Sequence, residues 1–229
     1  MAFLSYFMLS SVLIVASLNK IWAVDYTVSN AVPNTEGGAI FANRIGDAYA
    51  RQTMMAATNF IWKVFQQATA ADRKDVPRVG LIIDNLYDVA ATVGSEIHFS
   101  ANYLSKIQGD KGEFTGVMYH EMTHVWQWNG RGNPSAGKVI EGIADFVRLR
   151  ANLAPATWPR RGSGNSWGEG YAVTAYFLDY CESQRNGFVA ELNRKMRDGY
   201  SDDFFMQLLG RSADQLFREY KARYGGGTK

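Results

Sequence analysis

Cysteine occurs once in the 229-residue chain, at Cys181. One thiol cannot close an intramolecular disulfide, so stability must come from the core, with a bound metal as a possible addition. Flanked by Tyr180 and Glu182 in a helical pattern, Cys181 is expected to be a buried small hydrophobe. No charge of one sign dominates: 24 basic residues face 22 acidic ones, for a net charge of +2. That balance lacks the clustered basic patch of a nucleic-acid-binding protein. No acceptable N-glycosylation sequon is present, because Asn133-Pro134-Ser135 carries proline in the excluded position. After the first two dozen residues, no run is long and apolar enough to span a bilayer. Histidine is scarce too, with three in all, and two of them fall in one short motif.

The apolar run from Phe3 to Leu18, with small-residue spacing before Val24-Asp25, reads as a secretory signal peptide over 1–23, cleaved after Ala23. Its n-region has no Lys or Arg. The remainder, 24–229, is expected to be one extracellular domain with no membrane anchor. With 47% hydrophobic residues it can bury one sizeable core.

Periodicity predicts an α+β fold. Val24–Val28 alternates like a short strand, and apolar residues recur at helical spacing from Ala39 to Ala70, as one helix or two broken near Thr53. Val79–Asp84, Tyr87–Val93 and a segment from Glu96 read as three strands, the last two joined by a tight turn at Gly94-Ser95. They predict a small, mostly antiparallel sheet packed on a larger helical part. Asp110, with Glu113 three residues on, predicts a capping box for a helix over 111–128. Further helices are expected near 135–153, 168–184, 187–197, 201–209 and 212–223. A loop is expected at 154–166, and Gly225–Lys229 reads as a disordered tail.

The motif is His120-Glu121-Met122-Thr123-His124. On a helix, residues four apart share a face, so both imidazoles can hold one zinc ion with Glu121 beside them as general base. A hydrolytic zinc site takes three protein ligands, and no later Cys or His offers the third. Glu141 and Asp145 share a face of the next helix among apolar neighbours, where unpaired carboxylates are costly. Glu141 is the expected third ligand and Asp145 the acceptor that orients a ligand histidine. If the two are surface groups instead, Arg148 or Lys138 pairs with them. His98 is expected to face solvent or a strand neighbour. Tyr171 is the candidate donor to a developing oxyanion, and the segment Ile97–Ser100 is a possible sheet edge for an extended peptide.

The pattern His120-Glu121-x-x-His124 followed by Glu141-x-x-x-Asp145 resembles that of gluzincin peptidases, the thermolysin-like arrangement. More specifically, Val117–Gly130, Glu141–Leu149, Gly170-Tyr171, Phe177–Tyr180 and Arg185–Val189 resemble the plant basic secretory proteins. That resemblance implies a zincin-like fold, secretion, zinc, a peptide or protein substrate and a role in plant defence. The gap from His124 to Glu141 is shorter than in thermolysin-like enzymes, which leaves both Glu141 and Asp145 open as third ligand. Metzincins are excluded, because Gln127 and Gly130 stand where their motif needs Gly and a further ligand. A serine or cysteine hydrolase is not expected, since no Gly-x-Ser-x-Gly elbow is expected and both motif histidines are already accounted for. The rival reading is a non-catalytic secreted defence protein with a structural or vestigial metal site, in which Trp126, Trp128, Trp158 and Trp167 line a sugar-binding groove. The chain is expected to be a monomer.

Overall fold

The computed structural model describes residues 24–226. The expected signal peptide at 1–23 and the last three residues of the glycine-rich tail lie outside them. Strand β1 (Asp25–Asn30) leads to Thr35, whose hydroxyl accepts from Gly38 N and caps helix α1 (Glu36–Ile40). A π-helical turn at Phe41–Ile45 joins α1 to α2 (Gly46–Val64). The irregularity therefore sits at Gly46, with φ +73°, and not near Thr53, which is buried within α2.

Strands β2 (Arg78–Asp84), β3 (Ala90–Val93) and β4 (Glu96–Ser100) complete a sheet of order β1-β2-β4-β3. Here the expectation of a mostly antiparallel sheet is corrected. β1 pairs with β2 and β2 with β4 in parallel, and only the β3–β4 hairpin, turning at Gly94, is antiparallel. The reason is the connection: a helix of crossover length returns the chain to the starting end before β2 begins. β3 also starts later than expected, leaving Tyr87 outside it and 99% exposed. Ile97–Ser100 is not an edge, because β4 has a partner on each side; the free edge near the motif belongs to β3.

Helices α3 (Ala101–Lys106), α4 (Lys111–Trp126), α5 (Gly137–Arg150), α6 (Tyr171–Gln184), α7 (Phe188–Lys195), α8 (Asp203–Leu209) and α9 (Ala213–Tyr224) follow. Asp110 caps α4 by accepting from Gly112 N and Glu113 N. The return half of the expected capping box is not made, because the Glu113 carboxylate is bonded to Tyr103 and Arg148 instead. Helix α4 is the central element. It buries Phe114, Val117, Met118, Met122, Val125 and Trp126. Each such side chain contributes about 1.5–3 kcal/mol, which outweighs the roughly 1 kcal/mol that each of Gly112 and Gly116 costs in helix propensity. The Phe114 ring packs 5.0 Å from Phe99 of β4 and 6.4 Å from Phe41. Trp126 Nε1–H donates to Thr58 Oγ1 of α2 at 3.1 Å. At its C-terminal end, Lys74 Nζ donates to Val125 O, and burial takes its pKa down to about 8. No helix among the described residues is long and apolar enough to cross a membrane.

On its other side α4 lies against α5, and α5 against α6. The α5–α6 approach is close at Gly142, where a Cβ would fall 2.3 Å from Thr174 Cγ2. Thr174 in turn ties the start of α6: its hydroxyl accepts from Gly170 N and donates to Trp167 O. Gly142→Ala is expected to lower stability by about 1–3 kcal/mol through overpacking, seen as a lower urea midpoint at unchanged slope. A midpoint equal to that of the parent would mean the two helices have room to spare.

Candidate metal centre

Helices α4 and α5 run antiparallel, and their facing positions form a ladder of polar contacts. From one end these are Gln127 with Ile140 O, His124 with Glu141, His120 with Asp145, and Glu113 with Arg148. His120 and His124 project together, with Nε2 atoms 3.1 Å apart. Glu141 Oε2 lies 3.2 Å from His120 Nε2 and 3.6 Å from His124 Nε2. Asp145 is on the far side of the first ring, its Oδ1 2.7 Å from His120 Nδ1. The two carboxylates left open by the sequence are thereby told apart: Glu141 faces both Nε2 atoms, and Asp145 holds a ring from behind.

These donors fit a zinc ion. At about 2.0–2.1 Å from the metal, tetrahedral ligand atoms stand roughly 3.3 Å from one another, close to the three separations here. Asp145 on Nδ1 fixes the tautomer that leaves the His120 Nε2 lone pair for a metal. Gln127 does the corresponding work for His124. Its Nε2 lies 2.7 Å from His124 Nδ1, while its buried Oε1 has no partner. Turned over, the amide would accept from Nδ1–H through Oε1, as a ligand histidine requires, at the loss of its donation to Ile140 O. Among the described residues, the ligand-capable side chains that converge are these three, His120, His124 and Glu141.

The centre opens on a cleft of about 1010 Å³, walled on one side by Asp88–Thr92, which lead into and along the β3 edge, and on the other by Tyr171. Glu121 lines it while only 6% exposed. Thr92 Oγ1 donates to Glu121 Oε2 at 2.6 Å, so the edge strand holds this carboxylate in place. Tyr171 stacks on His120, with ring centroids 6.1 Å apart and planes 9° from parallel. Its φ of +46° is strained backbone for a non-glycine residue, the kind of cost that a site sustains where it needs a side chain aimed. Thr92 carries no signal in the sequence; Gln127 does, since it follows His124 by three residues and faces the same helix.

Other expectations resolve elsewhere. His98 bonds Asp84 through Nδ1 at 2.6 Å, away from the centre. Lys138 pairs with Asp202 and Arg148 with Glu113, so neither neutralises Glu141 or Asp145. The four-tryptophan groove does not form: Trp126 and Trp167 are in the core, and Trp158 alone of the four lines the cleft. The string Gly164-Asn165-Ser166-Trp167-Gly168 fits a serine-hydrolase elbow by its letters. It lies in the loop before α6, however, and Ser166 Oγ accepts from Gly168 N rather than meeting a histidine.

Without a metal the cluster is a hydrogen-bonded charge network. Burial disfavours the His120 cation, but the bonds to Asp145 and Glu141, with the charges of Asp145 and Glu121, outweigh it and raise its pKa to about 9. Burial likewise disfavours the Glu141 anion, yet the two histidines take its pKa down to about 2.

A family model described as "Peptidase of plants and bacteria" matches residues 21–220. A basic secretory protease from Boswellia serrata is 46% identical over 59 residues, which cover 26% of this chain and 67% of that protein. Among solved structures, a two-domain M1 zinc metallopeptidase, a mutant bound to L-arginine, aligns with a TM-score of 0.43 at 12% identity. The alignment covers 72% of this chain and 44% of that one.

The pKa shifts set a pH dependence for the metal-free protein. Stability from His120 is complete below its ordinary 6.5 and is lost as pH rises through about 9. Stability from Glu141 is complete above its ordinary 4.5 and is lost as pH falls toward about 2. The chelator-treated protein is expected to melt highest between these limits and progressively lower toward pH 9. Added zinc is expected to abolish the alkaline decline, because metal binding favours neutral imidazole. A melting temperature that climbs from pH 6.5 to 9 after chelation would contradict the network.

Proposed function

The chain belongs to the family of plant and bacterial peptidases that includes the plant basic secretory proteins, and from that membership we propose that it is a secreted, zinc-dependent peptidase with a gluzincin-like site. The observation that carries the zinc reading is the triangle of His120 Nε2, His124 Nε2 and Glu141 Oε2, with separations of 3.1, 3.2 and 3.6 Å, opening on a cleft beside Glu121. The donor set of two histidines and one carboxylate leaves a fourth position open, as hydrolytic zinc sites do.

His120, His124 and Glu141 would hold the ion, and Asp145 and Gln127 would keep the two rings oriented. When bound, zinc supplies Lewis-acid chemistry, acidifying water and polarising a peptide carbonyl. Glu121 is one residue past His120, about 100° around the helix from it, so its carboxylate borders the ligand face without joining it. There it takes a proton from the attacking water and delivers it to the leaving amine. Thr92 holds Oε2 of that carboxylate, and no bond restrains Oε1 among the described residues. Tyr171, stacked beside His120, offers its hydroxyl to the negative charge that develops on the carbonyl oxygen. The charges of Glu141, together with burial and the nearby acids, raise the Tyr171 pKa, which keeps that hydroxyl a donor. An extended substrate pairs along the free edge of β3.

The zincin-like fold, monomeric state, protein substrate and signal peptide at 1–23 belong to the same proposal, as does the defence role, which rests on the family resemblance. A non-catalytic protein with a structural zinc would need a fourth protein ligand and has no use for Glu121 in an open cleft.

The decisive measurement joins metal analysis to a casein or peptide assay, with and without chelator. Glu121→Gln is expected to retain zinc at the parent stoichiometry and to lose about 10²–10⁴-fold in rate; parent-level hydrolysis would remove Glu121 as the base. Glu141→Ala is expected to purify with markedly less zinc. Full occupancy in that variant would place the third ligand elsewhere.

A further inference from the structure

One end of the α4–α5 ladder lies in the cleft and is not used by the chemistry above. Arg148 is only 7% exposed. Its Nη2 donates to Glu113 Oε2 at 2.7 Å and its Nε to Leu153 O at 2.9 Å. The remaining Glu113 oxygen accepts from the Tyr103 hydroxyl at 2.8 Å. The guanidinium rests against Gly116, where a Cβ would stand 2.7 Å from both Nε and Nη2. Trp158 approaches from the cleft side, its ring centroid 5.7 Å from Arg148 Cζ. Nη1 is the one nitrogen without an acceptor among the described residues, on a side chain that lines the cleft with Tyr103, Glu113, Val117 and Trp158.

The placement relative to the metal centre follows from helix geometry. Gly116 precedes His120 by four residues, or about 6 Å along the axis of α4. An extended peptide advances about 3.3–3.6 Å per residue. The guanidinium therefore stands one to two substrate residues from the metal ligands. Glu113 balances its charge and has a donor on each oxygen, so the charged groups in this part of the cleft present an unused guanidinium donor and no carboxylate oxygen without a donor. A lysine or arginine side chain would meet a guanidinium there with no free carboxylate to answer it. A side-chain oxygen would complete the fork.

Resting on the peptidase reading of the cleft, we infer that Arg148 is the floor of a side-chain pocket beside the scissile bond. It selects a substrate residue bearing an oxygen acceptor, the carboxamide of Gln or the carboxylate of Glu, over Lys or Arg. Because the Arg148–Glu113 pair is already neutral, donor geometry governs the choice more than charge does, and Gln and Glu are expected to rank together.

The test uses zinc-loaded full-length protein and peptides that differ at single positions on either side of the cleaved bond, carrying Gln, Glu, Leu or Lys. At one position, kcat/KM is expected to be about ten- to a hundredfold higher for Gln and Glu than for Lys, with Leu also below Gln. Gly116→Ala, which displaces the guanidinium, and the double variant Glu113→Gln with Arg148→Met are each expected to collapse that ratio. If the double variant does not fold, as judged by circular dichroism, Gly116→Ala decides. A parallel titration of the Glu121→Gln protein with the same peptides, followed by tryptophan fluorescence, reads recognition without cleavage. Preference in the titration but no hydrolysis by the parent protein would sink the peptidase reading and leave the pocket standing. Hydrolysis with equal rates for Gln and Lys at every position, or a preference that survives in the variants, overturns the pocket and spares the peptidase. Neither hydrolysis nor binding of any peptide overturns both.

Discussion

Two helices in this molecule meet through charged and polar side chains where most helix pairs meet through apolar ones. Gln127 at the C-terminal cap of α4, with His124, His120 and Glu113 within that helix, faces the Ile140 carbonyl, Glu141, Asp145 and Arg148 of α5. A buried polar seam of this kind costs several kcal/mol for any ionised member that is left alone, so each group must find its partner at once. The antiparallel register does that, and it fixes the rotation of both helices about their axes. Apolar packing carries the stability, through the other faces of α4 against α2 and the sheet. The polar seam carries the geometry, and a metal drawing on the middle of the seam finds its donors already converged.

What the sequence showed of this follows from range. The His120–His124 spacing is a property of one helix, and so is the Glu141–Asp145 spacing, which is why both were legible as shared faces. Their meeting across two helices was an inference from cost: carboxylates among Val139, Ile143 and Phe146 need a partner. The roles of the two carboxylates are legible only in part: burial cost makes Glu141 the expected ligand and Asp145 its support, but one turn of α5 separates them and only the register against α4 tells the two apart. The sheet differs from its expected pairing for a related reason. The hairpin at Gly94-Ser95 is local and was read correctly. The parallel pairing of β1, β2 and β4 depends on where a 29-residue helical excursion, Glu36–Val64, sets the chain down, and no alternation within a strand records that. Thr92 was invisible because it reaches Glu121 across 29 residues of sequence and between a strand and a helix.

The opposite wall of the cleft is organised by close approach. Gly142, next to Glu141, lets Thr174 come within contact of α5, and Thr174 pins the turn from which Tyr171 emerges with positive φ. The position of Tyr171 over His120 is thus tied to α5 itself, the helix that supplies Glu141. Glycine directly after a metal-facing carboxylate looks like a helix weakness when read from propensity alone. In the folded chain it is the gap through which the second wall is brought to the first.

His120 and Asp145, with every donor of the centre between them, lie 25 residues apart in one helical hairpin, while the walls of the cleft arrive from β3, Trp158 and α6. The donors that would hold a metal and the outer walls of the cleft are thus encoded in different parts of the gene. Closing so short a loop with a metal would cost little chain entropy. Substitutions at Asp88–Ala91 or Trp158 can then reshape the cleft without touching the atoms that would hold the metal. Drift in the loops can thus alter the outer walls of the cleft, while Thr92 and Tyr171 are the points outside 120–145 at which it would reach the proposed chemistry.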